Sequence, residues 1–479
     1  LVGIWLCIYR DACQRCSTVF NERDLTTIRS RVEHEGLSFL TISLPSFGVE
    51  FERALAEGGV GASAFRAFRK AGAIPAFLQG MLACVFDNRT GRLLHEPSIE
   101  AIEAIRQLAY SFKKLALPCT AYRTAAAIAE FKKCERDLES VTVDGTTRDF
   151  VYRVGHVIWG SVLQRDYHLS DGIPKHGPGA TCERITGNRK FVHKRWYDRL
   201  ECYFPLLDTA YSVAAVDSRE FEDVEIVPEE QEDPVRVITV PKTLKGPRVI
   251  AIEPVCMQYT QQQLKDVLVT AIERAGLTAG HVNFTDQSIN RTLAQTSSRT
   301  ERYATLDLSS ASDRVRNDLA MDMFAQFPDL IGAIQACRSR RAKLPDGEII
   351  TLSKFASMGS ALCFPIESMY FYTLCVAALL RKHDLPVTWR NCFKMSRHVY
   401  IYGDDIIVPV DAVDAVINLL TTYGCKVNTN KSFWTGKFRE SCGMDAYDGH
   451  DVTPTYVRHT IPDNRQSASA LISLVAASN

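Results

Sequence analysis

The stretch 398–410, HVYIYGDDIIVPV, constrains the fold most, because it predicts a β-hairpin with two acidic side chains at its tip. β-Branched and aromatic residues on both sides favour strands, and Gly403 between them permits a tight reversal. The adjacent carboxylates of Asp404 and Asp405 repel each other unless a cation compensates them, and such oxygen ligands suit Mg²⁺ or Mn²⁺. Gly-Asp-Asp is also ordinary turn chemistry, so the tripeptide alone leaves both interpretations open.

Length and composition limit the class of protein to which this hairpin can belong. With 479 residues, 46% of them hydrophobic, the chain is long enough for several cores and more than one domain. A formal net charge of zero argues against a simple polyanion-binding protein, although the segments 175–199 and 338–343 are locally basic. The longest apolar run, 369–380, is too short to span a bilayer, so no membrane association is expected.

The 15 cysteines have no regular spacing and predict reduced thiols in a cytosolic protein. Cys13 and Cys16 form a CxxC pair that lacks a second pair of ligands, so no zinc site is expected. The first 150 residues predict mainly helices. Apolar residues recur at helical spacing over 98–117, between Pro97 and Pro118, and a second amphipathic segment covers 122–141. Both helices are interpreted as scaffold.

The basic segment 175–199 begins with KHGPGAT, whose glycines and proline predict an irregular loop. Cations interleaved with Phe191, Trp196 and Tyr197 suit a nucleic-acid groove with stacking surfaces. A solvated charged face explains the same pattern. The candidate RNA-binding residues are Lys175, His176, Arg189, Lys190, Lys194 and Arg195.

A second basic segment, RVITVPKTLKGPRVIAIEP, covers 236–254. Two apolar strands, 237–240 and 249–252, are predicted to flank a loop with Lys242, Lys245 and Arg248. These cations are suited to clamping a triphosphate, the arginine through a forked contact. An edge hairpin that carries lysines against aggregation is the alternative. Arg236, at the start of the segment, is a further candidate for nucleotide binding.

Two more polar segments precede the hairpin. RYATLDL at 302–308 predicts a strand that ends in Asp307, well placed to reach a metal or ligand. Asp313 follows in a polar turn that leads into an amphipathic helix, where it either contacts a ligand or favours the helix start. In the segment 351–367, Gly359 and Ser360 form a small loop before a long apolar helix. That loop is suited either to approaching a sugar or to capping the helix.

These blocks together resemble a viral RNA-dependent RNA polymerase, and more narrowly the replicase subunit of positive-strand RNA bacteriophages of the levivirus type. The resemblance covers about two-thirds of the chain, and the N-terminal third matches no motif. The blocks occur in the family's order: HGPGAT at 176–181, VPK and AIEP around Lys242 and Glu253, DLSSASD at 307–313, MGSA from Met358, YGDD at 402–405, and KSF then FRESCG over 431–443.

The resemblance implies an α+β fold shaped like a right hand, with an antiparallel palm sheet backed by helices. It implies a mainly helical N-terminal region at 1–170 that bridges fingers and thumb. The fingers would cover 171–300 and carry the basic nucleotide channel, the palm 301–436, and the thumb region 437–479. Asp307 and Asp404, assisted by Asp405, would hold two Mg²⁺ or Mn²⁺ ions. Asp313, Gly359 and Ser360 would read the ribose 2′-hydroxyl.

The implied activity is RNA-templated RNA synthesis on a single-stranded RNA template from ribonucleoside triphosphates. Host bacterial translation factors are implied as partners, and the cytoplasm of the bacterial host as the location. A reverse transcriptase is an alternative, but small residues follow Asp307 where such enzymes place a bulky one, and Asp313 also favours RNA synthesis. A non-catalytic RNA-binding protein with a relic palm is the other alternative. The presence of all three candidate carboxylates argues against it.

Overall fold

The computed structural model of the chain describes residues 1–166, 171–211, 220–460, 464 and 466–478. α-Helices and short strands alternate along these residues, and most strand pairs are antiparallel. The mixed helix and strand class predicted from the sequence is therefore confirmed. Every one of the 15 cysteines is a free thiol, as the irregular spacing predicts.

The helices are numbered in chain order. They are α1 Val2–Arg15, α2 Glu22–Glu35, α3 Leu44–Glu57, α4 Gln79–Leu82, α5 Ile99–Tyr110, α6 Ala121–Glu139, α7 Gly145–Asp166, α8 Leu206–Ala210, α9 Val255–Arg274, α10 Ser288–Thr300, α11 Asn317–Met321, α12 Pro328–Cys337, α13 Cys363–Lys382, α14 Trp389–Ser396, α15 Val413–Thr422 and α16 Ala468–Ser478. A π-helical turn at Phe39–Ser43 precedes α3. Short 3₁₀ turns cover Gly187–Phe191, Asp198–Leu200, Glu220–Asp223, Glu229–Gln231, Ser312–Arg314, Asp322–Phe324 and Val410–Ala412.

Within the described residues the strands form five small sheets. They are β1 Lys70–Ala71, β2 Ile74–Pro75, β3 Arg195–Tyr197, β4 Glu225–Val227, β5 Val235–Thr243, β6 Gly246–Ile252, β7 Tyr303–Leu306, β8 Arg341–Lys343, β9 Ile349–Thr351, β10 Tyr400–Tyr402, β11 Asp405–Pro409, β12 Phe438–Ser441, β13 Met444–Tyr447 and β14 His450–Asp451. Their orders are β1-β2, β3-β4, β6-β5-β8-β9, β10-β11-β7 and β12-β13-β14.

The antiparallel sheet β10-β11-β7 places the two predicted acidic segments side by side. Strand β11 lies in the middle, with Ile406 opposite Leu306 on β7 and opposite Ile401 on β10. Because Asp307 follows β7 directly and Asp405 opens β11, the acidic ends of the strands meet at one edge of the sheet.

Helix α13 is the central core helix. Its residues from Met369 to Leu380 are almost all completely buried, in one large core that also contains α7, α9, α15 and the sheet β10-β11-β7. By length and composition alone α13 is long and apolar enough to cross a membrane, so the apolar segment is longer than the sequence run 369–380 suggests. However, 94% of its most apolar window is buried inside the protein, which is the burial of a core helix.

A second core joins the two ends of the chain. Aromatic and aliphatic side chains of α1 to α5 pack with Phe438 and Tyr447 of the sheet β12-β13-β14 and with Val452, which follows β14. At the centre of this contact the buried Arg106 on α5 pairs with Glu52 on α3 at 3.1 Å and with Asp445 on β13 at 2.5 Å. Two carboxylates around one guanidinium satisfy charges that would be costly to bury unpaired.

The helix predicted over 98–117 ends at Tyr110. Beyond Tyr110 the backbone bonds to the C-terminal segment instead of continuing the helix: the Val457 N–H donates to the Ser111 carbonyl, and the Ala116 N–H donates to the Arg458 carbonyl, both at 2.7 Å. A helix that extended to residue 117 would need these same backbone groups for its own hydrogen bonds.

Candidate active site

The hairpin tip is a two-residue turn. Tyr402 pairs with Asp405, so Gly403 and Asp404 alone connect β10 to β11. Gly403 has a φ of 62°, and a Cβ there would lie 2.2 Å from the ring of Phe364 on α13. Glycine is therefore required by both backbone conformation and space, and the packed ring fixes where the Asp404 side chain leaves the turn.

Asp307 is held at the neighbouring strand end by the segment that follows α15. Its Oδ2 accepts a hydrogen bond from Asn428 Nδ2 at 2.7 Å, and its backbone carbonyl accepts from the Asn428 N–H at 2.8 Å. Lys431 Nζ lies 3.7 Å from Asp307 Oδ1 and 3.6 Å from Glu440 Oε1. Sequence reasoning did not assign these three partners a role. Lys431 and Glu440 lie in the KSF and FRESCG blocks at 431–443, whereas Asn428 lies outside them.

A cavity of about 400 Å³ brings the acidic and basic candidates together. Asp307, Asp404 and Asp313 line the cavity with Lys242, Arg248 and Lys431. These residues come from four separate segments of the sequence, two of them acidic and two basic. One concave site with carboxylates on one wall and cations on another is suited to a ligand that carries both phosphates and metal ions.

The carboxylates of this site repel one another. Burial raises the pKa of Asp307, and the charges of Asp404 and Glu440 add to the rise, whereas Lys431 and Asn428 oppose it. Burial raises the pKa of Asp405 to about 7, with further contributions from Asp404, Glu440 and Asp307. The pKa of Lys431 is raised, chiefly by Glu440. The site therefore concentrates negative charge, which a divalent cation would compensate.

Asp405 is oriented differently from Asp404. Its carboxylate accepts from the Cys442 N–H at 3.3 Å and the Ser441 hydroxyl at 3.4 Å, both at the connection between β12 and β13.

Among the described residues, no three His, Cys, Asp or Glu side chains are arranged to hold a metal ion by themselves. Mg²⁺ usually takes one or two carboxylates and completes its shell with water and substrate phosphates. Asp307 and Asp404, which share the cavity, fit that requirement.

Asp313 is held by a buried ion pair. Its Oδ1 accepts from Lys354 Nζ at 2.9 Å and from the Ser357 hydroxyl at 3.1 Å. Lys354 is completely buried and also pairs with Glu135 on α6 at 3.0 Å. Sequence reasoning missed Lys354 and Glu135. A lysine inside the otherwise apolar and hydroxyl-rich TLSKFAS segment was the one local signal.

The Gly359 loop packs on the hairpin β5-β6. Gly359 has a φ of 128°, and a Cβ there would lie 1.9 Å from the carbonyl oxygen of Ala251. The Ala251 N–H donates to the Met358 carbonyl at 2.8 Å, and the Ser360 hydroxyl donates to Gln261 Oε1 at 3.1 Å. Met358 lines the cavity, but Gly359 and Ser360 do not, so their contact with a sugar stays a prediction.

The hairpin β5-β6 is longer than predicted, and its basic residues are open to ligand. Strand pairing continues to Thr243 and Gly246, so only Leu244 and Lys245 form the turn. Lys242, Lys245 and Arg248 are exposed and form no ion pair with any described residue. Lys245 faces a second cavity of about 500 Å³, which shares Lys431 with the first. Arg236 instead donates to the Thr181 carbonyl at 3.4 Å and lines neither cavity.

Most of the basic segment 175–199 has structural contacts. Lys175 pairs with Asp266. The buried Lys190 donates to the Gly177 and Gly179 carbonyls. Arg195 pairs with Asp233 and Glu225. These contacts hold the HGPGAT loop and β3 in place.

The prediction that the aromatic residues of this segment form a stacking surface is largely wrong. Trp196 and Tyr197 have 0% and 1% exposure, and both belong to the large core that also contains α9. Phe191 is exposed, and His176 packs against Phe191 and Tyr259. Arg189 and Lys194 are exposed and, within the described chain, have no ion-pair partner. These two cations are the ones that remain open to RNA.

A known protein family matches the part of the chain that contains the acidic and basic segments of the cavity. The family model described as RNA replicase, beta-chain, matches residues 206–475. The RNA-directed RNA polymerase subunit beta of Escherichia virus Qbeta is 38% identical over 226 residues, which are 47% of this chain and 36% of the relative. The RNA-directed RNA polymerase beta chain of Escherichia phage MS2 is 36% identical over 225 residues, 47% of this chain and 38% of the relative. The aligned part is thus little more than a third of these curated relatives.

Among solved structures, the RNA-dependent RNA polymerase of a human picorbirnavirus is 14% identical, with a TM-score of 0.36. The superposition covers 51% of this chain and 52% of that structure.

Proposed function

The chain belongs to the RNA replicase beta-chain family, and from this we propose that it is an RNA-directed RNA polymerase that replicates a single-stranded RNA phage genome. Its substrates are a single-stranded RNA template and ribonucleoside triphosphates. The observation that carries the proposal is the single cavity in which Asp307 and Asp404 face Lys242 and Arg248. A nucleotidyl transferase needs this combination of carboxylates for metal ions and cations for phosphates.

The right-hand arrangement belongs to the same proposal. The palm covers 301–436, with the sheet β10-β11-β7 backed by α13 and α15. The fingers cover 171–300 and include the hairpin β5-β6, the thumb region begins at 437, and the helices of 1–170 bridge fingers and thumb. The close packing of α3 and α5 against the β12-β13 hairpin supports the bridging role.

In the proposed reaction, Asp307 and Asp404 hold two divalent ions, Mg²⁺ or alternatively Mn²⁺. The bound ions supply positive charge at the attacking and leaving oxygens of the phosphoryl transfer. Asp405 supports this pair from the start of β11, where its charge adds to the local field. Asn428 and Lys431 orient the Asp307 carboxylate through the contacts at 2.7 and 3.7 Å.

The remaining side chains bind the nucleotide and RNA. Lys242, Lys245 and Arg248 contact the triphosphate, because they are exposed beside the cavities and lack protein partners among the described residues. Asp313 accepts from the ribose 2′-hydroxyl, near the Gly359 and Ser360 loop. Arg189 and Lys194 contact template phosphates. Family membership alone supports host translation factors as partners and the bacterial cytoplasm as the location.

Incorporation of labelled ribonucleotides on single-stranded RNA, with Mg²⁺ and with or without a primer, tests the proposal. The parent chain and Asp414→Asn, a matched change of an exposed carboxylate on α15, are expected to make product. Asp404→Asn is expected to lose at least about 100-fold in rate while it remains folded. A loss of less than tenfold would remove Asp404 from the reaction.

The same incorporation assay also tests whether the chain needs host subunits. If the purified parent is silent, bacterial lysate is added as a source of them, and continued silence would overturn the proposal in favour of a non-catalytic RNA-binding protein. Product made only from deoxyribonucleotides would indicate a reverse transcriptase.

A further inference from the structure

Helix α14 presents an exposed aromatic and basic face, and none of its residues lines the cavity of Asp307 and Asp404. Its buried side, with Cys392 and Met395 at 0% and 4% exposure, packs on α7 and α13. Thr388 caps the helix by accepting from the Asn391 N–H at 3.3 Å. Helix α14 is therefore well anchored, and its open face is a stable feature of the protein surface.

The exposed face begins with a ladder of flat side chains. Trp389, 55% exposed, stacks on Phe393 with a centroid distance of 5.2 Å and an interplanar angle of 14°. Arg397 Cζ lies 5.7 Å from the Phe393 centroid. The spacing of four residues places all three on one side of the helix. One face of the indole is covered by Phe393, and the large exposed fraction leaves indole surface available for a further flat group.

Cations surround this ladder. A surface depression of about 620 Å³ is lined by Arg390, Phe393, Lys394, Arg397 and His398. Arg390, Lys394 and Arg397 are exposed, and no carboxylate of the described chain pairs with any of them. Asp411 interacts with His398, but it is already paired with Lys382. The face therefore carries uncompensated positive charge.

We propose that the face formed by Trp389, Arg390, Phe393, Lys394 and Arg397 binds single-stranded RNA outside the catalytic cavity. A nucleobase stacks on the open side of Trp389, and the neighbouring phosphates contact Arg390 and Lys394. Stacking on aromatic rings beside backbone-contacting cations is the usual chemistry of single-strand binding. An acidic peptide would satisfy the cations but would not account for an exposed, pre-stacked indole.

The face is separate from the catalytic cavity, because none of its residues lines that cavity. Arg397 and Asp404 are seven positions apart in the sequence and are joined through strand β10, so their Cα atoms lie at most about 25 Å apart. RNA bound to the α14 face is thus held beside the catalytic cavity and not within it. The inference requires that the chain meets RNA, but it does not require polymerase activity.

Equilibrium binding of a short labelled uridine oligonucleotide, without nucleotides or divalent metal, tests the inference. Trp389→Ala is expected to weaken binding about tenfold, and Trp389→Tyr to restore most of it, because tyrosine retains a stacking face. The double variant Arg390→Ala/Lys394→Ala is expected to weaken binding and to flatten the slope of log K against log salt by about 1.4, from two lost phosphate contacts. Arg23→Ala/Arg29→Ala, a matched pair of exposed arginines on α2, is the control and should change neither.

Unchanged affinity and salt slope in both α14 variants would overturn the inference. So would an oligoglutamate peptide that competes as well as RNA, since the face would then be a protein-binding surface. A chain that fails to polymerise even with bacterial lysate, but still shows the expected binding differences, would contradict the proposed function and leave the inference about the α14 face intact.

Discussion

Lys354 Nζ lies 2.9 Å from Asp313 Oδ1 and joins that carboxylate to Glu135 of α6, 3.0 Å away on its other side. The ammonium is completely buried and also lies 3.4 Å from the centroid of the Phe131 ring. A buried lysine between two carboxylates fixes both of them, since moving either leaves charge unpaired. The N-terminal helices thus determine where a proposed ribose-binding side chain can lie.

The first prediction concerns sugar choice. Asp313→Ala is expected to reduce discrimination for ribonucleotides over deoxyribonucleotides by roughly 10- to 100-fold, the size of a lost charge-assisted hydrogen bond of about 1.5–3 kcal/mol. Glu135 still pairs with Lys354, so the variant should fold. The ratio of kcat/KM values for the two nucleotides measures the effect, with the exposed loop variant Asp346→Ala as control. Unchanged discrimination would remove Asp313 from the sugar site.

A second prediction follows from the hairpin turn. Gly403→Ala should destabilise the protein by about 1–3 kcal/mol, because alanine adds strain at a φ of 62° and a Cβ clash with Phe364. Chemical denaturation measures this loss. Gly61→Ala is the control, since nothing lies within 4 Å of its added Cβ. Equal stability of the two variants would mean that the turn relaxes freely.

The third prediction tests metal binding without activity. Addition of Mg²⁺ or Mn²⁺ is expected to raise the Tm of the parent by a few degrees, because the ion relieves the repulsion around Asp307 and binds only the folded state. Asp404→Asn should lose most of this shift, whereas Asp414→Asn should keep it. Identical Tm shifts in all three proteins would place the bound metal elsewhere.

Acid stability provides the fourth prediction. Burial lowers the pKa of His193 and His281 from 6.5 to about 4. Above pH 6.5 each is neutral in both states. Between pH 6.5 and about 4 the unfolded chain takes up a proton that the folded chain does not, so stability falls by up to about 1.4 kcal/mol per pH unit for each residue.

The test uses His193, which packs on the rings of Trp196 and Tyr259. His193→Phe retains the ring and removes the proton site, so its unfolding free energy should fall less steeply between pH 6.5 and 4 than that of the parent. Urea denaturation at several pH values measures the slope. If the unfolding free energies of parent and variant fell equally steeply between pH 6.5 and 4, His193 would not be a cause of the loss of stability in acid.

Local sequence pattern predicted the elements that carry the acidic residues. Alternating strand-forming residues with one glycine specify the 398–410 hairpin, and RYATLDL specifies the strand before Asp307, because each depends on near neighbours. The adjacency of Asp307 and Asp404 depends on strand pairing between distant segments. It was expected from the family resemblance and not from the residues themselves.

Other features depend on contacts that no local pattern encodes. The Lys354 ion pair joins residues from α6 and two later segments, and the burial of Trp196 depends on α9, which follows it in sequence. A cation next to an aromatic residue has the same local signature on an RNA-binding face and in a core. The pattern of the basic segment 175–199 therefore predicts a more open surface than the structure has, whereas no pattern in the sequence distinguishes the α14 face.

The pairing of Arg106 with Asp445 has a consequence for synthesis on the ribosome. The partners are 339 residues apart, and Phe438, Tyr447 and Val452 of the same core are equally late. At about 5–20 residues per second, roughly 20 to 70 seconds separate the appearance of the arginine from that of its partner. During this interval helices α1 to α5 lack the apolar side chains that residues 438–452 contribute to their core, so the nascent chain exposes this incomplete surface to chaperones until those residues have been made.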